Sequence, residues 1–437
     1  MPCPECNQKW NRNWCKPCNS KHFQNDFNNW TSGNDKIDTF IQDAQLDAND
    51  DPGVIEWIPY DRFKDVKQIG KGGFGTIHYA RWIDGFIKEW DFENQQWERY
   101  DDRTVALKKF DNFVNFNDVL NEMEIHLKVY YSDDKTSIQF YGITQDPETH
   151  SYMMVLEYTA DGNFREFLKI NFNNINWEQK LSNLIDLSVA LMNIHELDIV
   201  HQDFHPGNIL SSNFMNSYSL QISDFGLSKL IGANPNIPEK KNIFGVLPYI
   251  APEVLSGDEE YTKAADVYSF GIIAYEMVTG FPPYPNIPHD KDLAMKICNG
   301  LRPKIPFHTP KLITRTIMRC WDARIPHRPT SEELWSELDQ YYSDYYYLKK
   351  GKNKDSEIVI QIKKAEEFSA NQESTNITTT TTTPLNYQTH PRAIYTSRLL
   401  NYTNLPKPKN EENFERELEE LTRSMSNLCP SNSDLFI

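Results

Sequence analysis

The sequence predicts an α+β fold of two lobes, a small β-rich one followed by a larger helical one. Three observations carry this. The chain has 437 residues, more than the usual domain of about 100 to 200, and suits one large two-lobed domain with flanking segments. Apolar residues alternate on both sides of a glycine cluster in FKDVKQIGKGGFGTIHYA, 63 to 80, as paired strands require. WEQKLSNLIDLSVALMNIHEL, from 177, sets Leu181, Leu184, Ile185, Leu191 and Ile194 at helical spacing, a stripe that must be buried.

The composition, 39% hydrophobic and 13% aromatic, supplies a sizeable core. A formal net charge of -17 argues against nucleic acid and membrane surfaces as partners, since both are anionic. The longest apolar run, FGIIAYEMV at 270 to 278, is too short for a membrane span and contains a Glu. MPCPECNQKW lacks the apolar core of a secretory signal. A soluble, intracellular, cytoplasmic protein with reduced cysteines is the expectation.

Cys3, Cys6, Cys15 and Cys18 form C-x2-C-x8-C-x2-C. Four thiolates so paired suit a tetrahedral Zn2+ site, predicting a small zinc-binding knob over 1 to 22. Residues 23 to 60 read as a short helix, capped by Ser32 or Asn34 with Ile37, Phe40, Ile41 and Leu46 on one face, then an acidic linker, DANDDPG.

Gly70, Gly72 and Gly75 join the two strands by a turn whose backbone amides can approach phosphate oxygens. The aromatic tract RWIDGFIKEWDFENQQWERYDDR reads as a hairpin extension turning at Glu93, Asn94 and Gln95. VALKK then places Lys108 on a strand, and the helical NDVLNEMEIHLKVY offers Glu122 or Glu124 as its carboxylate. SYMMVLEYTADGNFREFL is an apolar strand that breaks at Asp161 and Gly162. HQDFHPGNIL, 201 to 210, and QISDFGLSKL bring Asp203, Asn208 and Asp224 on two loops. Oxygen donors of this kind hold a hard cation such as Mg2+.

With Ala251-Pro252-Glu253, Asp266 in DVYSFG and Arg328 in CWDARIPHRPT following in order, residues 63 to 341 resemble the eukaryotic protein kinase family. DVYSFGIIAYEMVTG and CWDARIPHRPT are most similar to the tyrosine-kinase-like and tyrosine-kinase branches, and HQDFHPGN with the N-terminal Cys pairs resembles an expanded fungal kinase group. The resemblance implies ATP and Mg2+ as cofactors and a protein substrate. It implies Asp203 as catalytic base, Lys108 oriented by Glu122 on the nucleotide phosphates, and Asn208 and Asp224 as metal ligands. It further implies adenine sandwiched by Ile77, Ala106 and Leu210, with Leu156 as gatekeeper and Glu157, Tyr158 and Thr159 as the hinge. His126, Phe140, Phe225 and His201 should stack as a regulatory spine, Glu253 should pair with Arg328, and Asp266 should anchor the catalytic loop.

Two positions depart from the family pattern. Gln202 replaces the Arg that pairs with an activation-loop phosphate, and residues 227 to 250 carry only Ser228 and Tyr249 as hydroxyls. Control by phosphorylation of that segment is therefore not expected, and a regulatory protein partner is the alternative. His205 replaces a lysine that contacts the γ-phosphate. A cationic role for it predicts a rate falling as pH rises, flattened in His205→Lys.

Residues 350 to 437, with NITTTTTTPLN, read as a disordered low-complexity tail, and Phe414, Leu418 and Leu421 as a transient solvated helix. The expected function is a signalling protein kinase acting on Ser/Thr, with Tyr not separated by the motifs. A pseudokinase scaffold is the alternative, disfavoured because Lys108, Glu122, Asp203, Asn208 and Asp224 are all retained.

Overall fold

The computed structural model describes residues 2–9, 13–73, 75–110, 116–130, 136–216, 219–230, 243–375, 388–400 and 402–426. They form two units: Met1–Ala160 with Ser223–Gly226, and Asp161–Ile222 with Leu227–Ile437. Among the described residues no helix is long and apolar enough to cross a membrane.

The first unit opens with helices α1 (Lys16–Asp26) and α2 (Asp35–Asp47). Asn34 caps α2 by accepting the Lys36 N–H, and Ile37 and Ile41 are fully buried. Strand β1 (Glu56–Trp57) follows, then β2 (Phe63–Lys71), β3 (Gly75–Trp82), β4 (Phe86–Asp91), β5 (Gln96–Tyr100) and β6 (Arg103–Phe110). Helix α3 (Phe116–Tyr130) precedes β7 (Phe140–Gln145) and β8 (Tyr152–Glu157).

A six-stranded sheet runs β1-β7-β8-β6-β3-β2. Its edge corrects the linker expected before residue 60. Glu56 and Trp57 pair parallel to Gly142 and Ile143, with Ile55 and Ile58 buried. A two-residue strand has too little alternation to be read from sequence. Gly142 permits the approach, because a Cβ there would lie 2.1 Å from the Glu56 carbonyl oxygen.

The aromatic tract forms the β4–β5 hairpin, turned by the Asp91 carboxylate accepting the Glu93 and Asn94 N–H groups. Its tryptophans do more than pair with each other. Trp97 stacks on Phe23 (4.4 Å between centroids) and Trp14 (5.9 Å), and Trp90 on His22 (3.7 Å). The hairpin is thus the platform on which the cysteine-bearing N-terminus sits.

The second unit begins with α4 (Phe164–Asn171) and α5 (Trp177–Glu196), whose predicted stripe is buried. Short strands β9 (Ile199–Val200), β10 (Ile209–Leu210), β11 (Gln221–Ile222), β12 (Lys229–Leu230) and β13 (Ile243–Gly245) frame the loops. Helices α6 (Pro252–Ser256), α7 (Lys263–Thr279), α8 (Lys291–Cys298), α9 (Lys311–Cys320) and α10 (Ser331–Lys349) follow. FGIIAYEMV lies within α7, which is buried nearly all round and ends at left-handed Gly280. Such a helix is the centre of a core.

The tail departs most from expectation. It folds as α11 (Glu357–Thr375), β14 (Arg398–Leu400) and α12 (Phe414–Ser426). Ile358, Val359, Ile362 and Ala365 bury α11, and the Gln361 side chain accepts the Leu312 N–H at 2.9 Å. Phe414 is buried and Glu415 pairs with Arg324 at 2.7 Å, so α12 is a docked helix and not a solvated one. The threonine run, 378 to 383, lies outside the described residues.

Candidate functional site

In the first unit the glycine turn closes through the Gly72 N–H donating to the Gly75 carbonyl at 2.9 Å. A Cβ on Gly75 would lie 2.1 Å from the Lys109 carbonyl oxygen, so the hairpin requires glycine there. Gly70 faces Ile77 across the hairpin, and Ile77 in turn faces Lys108 on β6. Ile77 and Ala106 are each half-buried, as an apolar platform for a ring must be.

Lys108 meets two carboxylates. Its Nζ bonds Glu122 Oε1 on α3 and lies 2.9 Å from Asp224 Oδ1. The alternative partner is excluded by helix geometry: Glu124 points outward and pairs with Lys128 at 2.7 Å. Burial pulls the Lys108 ammonium down, but the charges of Asp224 and Glu122 outweigh it and hold the group above its ordinary value. Burial pushes Glu122 up to about 7 against the pull of Lys108. One cation thus ties strand, helix and Asp224 together.

Phe225, next to Asp224, meets His126 of α3 edge-on at 4.8 Å, and His126 lies 6.3 Å from Phe140. Three of the four expected spine residues are therefore contiguous in this unit. On β8, Leu156 faces Ala106 and is buried. The Glu157 N–H donates to Gln139 at 2.8 Å, so it is not among the hinge groups left to contact a base. Tyr158 meets Tyr79 edge-on at 5.2 Å, and Thr159 is buried.

In the second unit Asp266, fully buried, accepts the backbone N–H groups of His201 (2.8 Å) and Gln202 (3.1 Å) and lies 3.2 Å from His195 Nε2. Gln202 takes a left-handed φ of 66° on the loop held this way. Asn208 Nδ2 donates to the Asp203 carbonyl at 3.0 Å, and an amide oxygen such as its Oδ1 is of the donor type that a hard cation takes. Leu210 on β10 is half-buried. Arg328 grips Glu253 through two bonds of 2.6 and 2.7 Å, a buried bidentate pair.

His205 caps the short turn that carries Asn208. Its Nδ1 accepts the Gly207 N–H at 3.0 Å, which leaves Nε2 as the ring nitrogen that can donate. Nε2 lies 3.5 Å from Asp203 Oδ1 and 3.2 Å from Ser397 Oγ.

Ser397 was not foreseen. Its hydroxyl donates to Asp203 Oδ2, and β14 just after it pairs antiparallel with β13. No sequence signal marks one serine in a polar tail. Both hydroxyls of the activation segment are buried: Ser228 donates to the His201 carbonyl at 3.0 Å, and Tyr249 donates to Glu276 and accepts from Arg165 at 2.9 Å. The stretch 231 to 242 lies outside the described residues.

At the N-terminus the four cysteine sulfurs lie within 4.8 Å of one another. Cys3 and Cys18 sulfurs are 3.8 Å apart, and Cys6 and Cys15 sulfurs 3.5 Å. Zn–S bonds of about 2.3 Å in a tetrahedron set sulfurs about 3.8 Å apart.

A glycine hairpin, a buried lysine held by two carboxylates and a loop carrying Asp203 and Asn208 define the architecture of a protein kinase. The family model described as protein tyrosine and serine/threonine kinase matches residues 63–338, and the chain belongs to that family. It is 30% identical over 307 residues to a putative serine/threonine-protein kinase/receptor of Acanthamoeba polyphaga mimivirus, covering 70% of this chain and 17% of the relative. It is 28% identical over 317 residues to the serine/threonine-protein kinase VIK of Arabidopsis thaliana, covering 70% and 62%. It is 26% identical over 308 residues to the tyrosine-protein kinase SPK-1 of Girardia tigrina, covering 66% and 57%. The chain therefore spans a small part of the viral relative and less than two thirds of the other two.

Proposed function

We propose that the chain is an active protein kinase of the tyrosine-kinase-like branch, transferring the γ-phosphoryl group of ATP to serine or threonine of a protein. The observation that carries this is Lys108 bonded to both Glu122 and Asp224, since a buried cation at two carboxylates is costly unless its position matters. Lys108 orients the phosphates, while Ile77, Ala106 and Leu156 of the first unit supply the apolar platform for the adenine. Asp203 takes the proton of the attacking hydroxyl. His205 Nε2 lies beside that carboxylate and meets the Ser397 hydroxyl bonded to its other oxygen. Asp224 and Asn208 offer the oxygens that Mg2+ takes, and the ion neutralises charge on the phosphates.

Phosphorylation of the activation segment is not the switch. Gln202 has no charge to receive a phosphate, and Ser228 and Tyr249 are buried and already bonded. We also propose that Cys3, Cys6, Cys15 and Cys18 bind one structural Zn2+, on the basis of their sulfur spacing. Free thiols poised for metal suit a reducing compartment such as the cytoplasm. The cysteine segment joined to HQDFHPGN is what resembles the expanded fungal group.

Labelled phosphate transfer from ATP and Mg2+ to a generic protein tests the reading. Asp203→Asn should lower kcat by about 10²- to 10⁴-fold, and Asp224→Asn should abolish transfer. A wild-type chain that binds ATP and transfers nothing would be a signalling scaffold instead.

A further inference from the structure

The tail reaches the catalytic carboxylate. Ser397 Oγ donates its hydrogen to Asp203 Oδ2 and lies 3.2 Å from His205 Nε2. Because His205 Nδ1 is occupied by the Gly207 N–H, Nε2 carries a hydrogen directed at the serine oxygen. The hydroxyl thus sits on the proposed base with its proton already aimed at the atom that would take it.

The surrounding chain is held as an extended peptide. Arg398, Leu399 and Leu400 pair antiparallel with Gly245, Phe244 and Ile243 of the activation segment. On the other side of Ser397, Arg165 donates to the Tyr395 carbonyl at 3.0 Å, and the Tyr395 hydroxyl donates to Pro283 at 2.8 Å. Further back, His289 Nδ1 bonds the Ile394 carbonyl and the His289 N–H the Arg392 carbonyl, both at 2.9 Å. Main-chain pairing on a strand edge with one side chain delivered to a reactive group is how an extended peptide is bound. An inhibitory strand needs no hydroxyl at this position. This one has it.

We propose that Ser397 is an intramolecular phosphoacceptor, modified by the catalytic site of its own chain. The inference rests on the kinase reading above. Ser397 Oγ would form a bond to the γ-phosphorus of ATP while the bond from that phosphorus to the β,γ-bridging oxygen breaks. ADP leaves with the electron pair, and the serine proton passes to Asp203 Oδ2. The product would place about -1.5 to -2 units of charge beside the Asp203 carboxylate, so the strand leaves once modified and the β13 edge opens to another polypeptide.

The test uses the full-length chain, dephosphorylated and then given labelled ATP and Mg2+ alongside a generic protein substrate. Mass spectrometry should find phosphate on Ser397, with a rate constant unchanged over about a 100-fold dilution, since an intramolecular acceptor has a fixed effective concentration. Ser397→Ala should lose that label and Ser397→Thr should keep it. An excess of Asp224→Asn chain mixed with wild type should stay unlabelled at Ser397. Generic transfer with Ser397 unmodified, or a rate that rises with chain concentration, overturns the inference and leaves the kinase reading intact. Transfer to neither acceptor overturns both.

Discussion

The two segments flanking the kinase domain are attached by different chemistry. Before residue 63 the cysteine-bearing segment meets the hairpin through side chains: Trp14, His22 and Phe23 stack on its tryptophans, and four clustered sulfurs tie the segment to itself. Between residues 388 and 400 the tail meets the second unit mainly through its backbone, while α11 and α12 are held by side chains. β14 contributes three residues of ladder, and the carbonyls of Arg392, Ile394 and Tyr395 accept from His289 and Arg165. Side-chain attachment needs particular residue types at particular spacings, whereas backbone attachment can be made by almost any sequence.

If the cysteines hold the proposed Zn2+, removing it should break this contrast most severely. Structural zinc contributes about 10 kcal/mol or more to small sites, so a strong chelator, or Cys15→Ser, should free the α1 amides to exchange while α11 stays protected. Equal loss of protection in both flanks would mean they are not independent. Trp97→Ala removes the ring between Trp14 and Phe23 and should cost about 3 kcal/mol locally. Thermal melting should show the loss, and tail protection should not change.

Arg398→Pro acts on the other flank. Proline lacks the ladder N–H, so β14 should detach at a cost of about 1 kcal/mol. Steady-state kinetics on a generic substrate should show several-fold higher kcat/KM, and an unchanged value would mean that β14 does not obstruct the site.

The smallest effect separates tail release from general loosening of the second unit. Burial lowers Lys180 to about 8, with its ammonium 4.1 Å from the centre of the Phe172 ring. The unfolded chain then binds more protons than the folded one from about pH 8 to 10.5, so stability rises with pH across that window. The gain between pH 7 and 9 should be about 1 kcal/mol, read from melting curves and absent in Lys180→Met. If tail protection follows the same curve, release is only a symptom of the core.

Legibility followed the same division. The glycine hairpin, Lys108, Asp203, Asn208, Asp224 and the cysteine pairs were readable because each is a residue type whose chemistry fixes its spacing. α11 was also readable, since Ile358, Val359, Ile362 and Ala365 recur at helical intervals; the polar stretch after it obscured that pattern. Spacing alone left Glu122 and Glu124 open and the family resemblance chose Glu122; the structure shows why, since two residues apart on a helix face different sides and only Glu122 reaches β6.

The sequence by itself determined the family, the two-lobed architecture and the candidate site residues, because these depend on local spacing and side-chain chemistry. Only the tertiary structure decided that Asp224 shares Lys108 with Glu122, that His205 Nε2 meets Ser397, and that Ser397 rests on Asp203. Each of these depends on which groups meet across long stretches of chain, 194 residues in the last case, and neither composition nor periodicity records that.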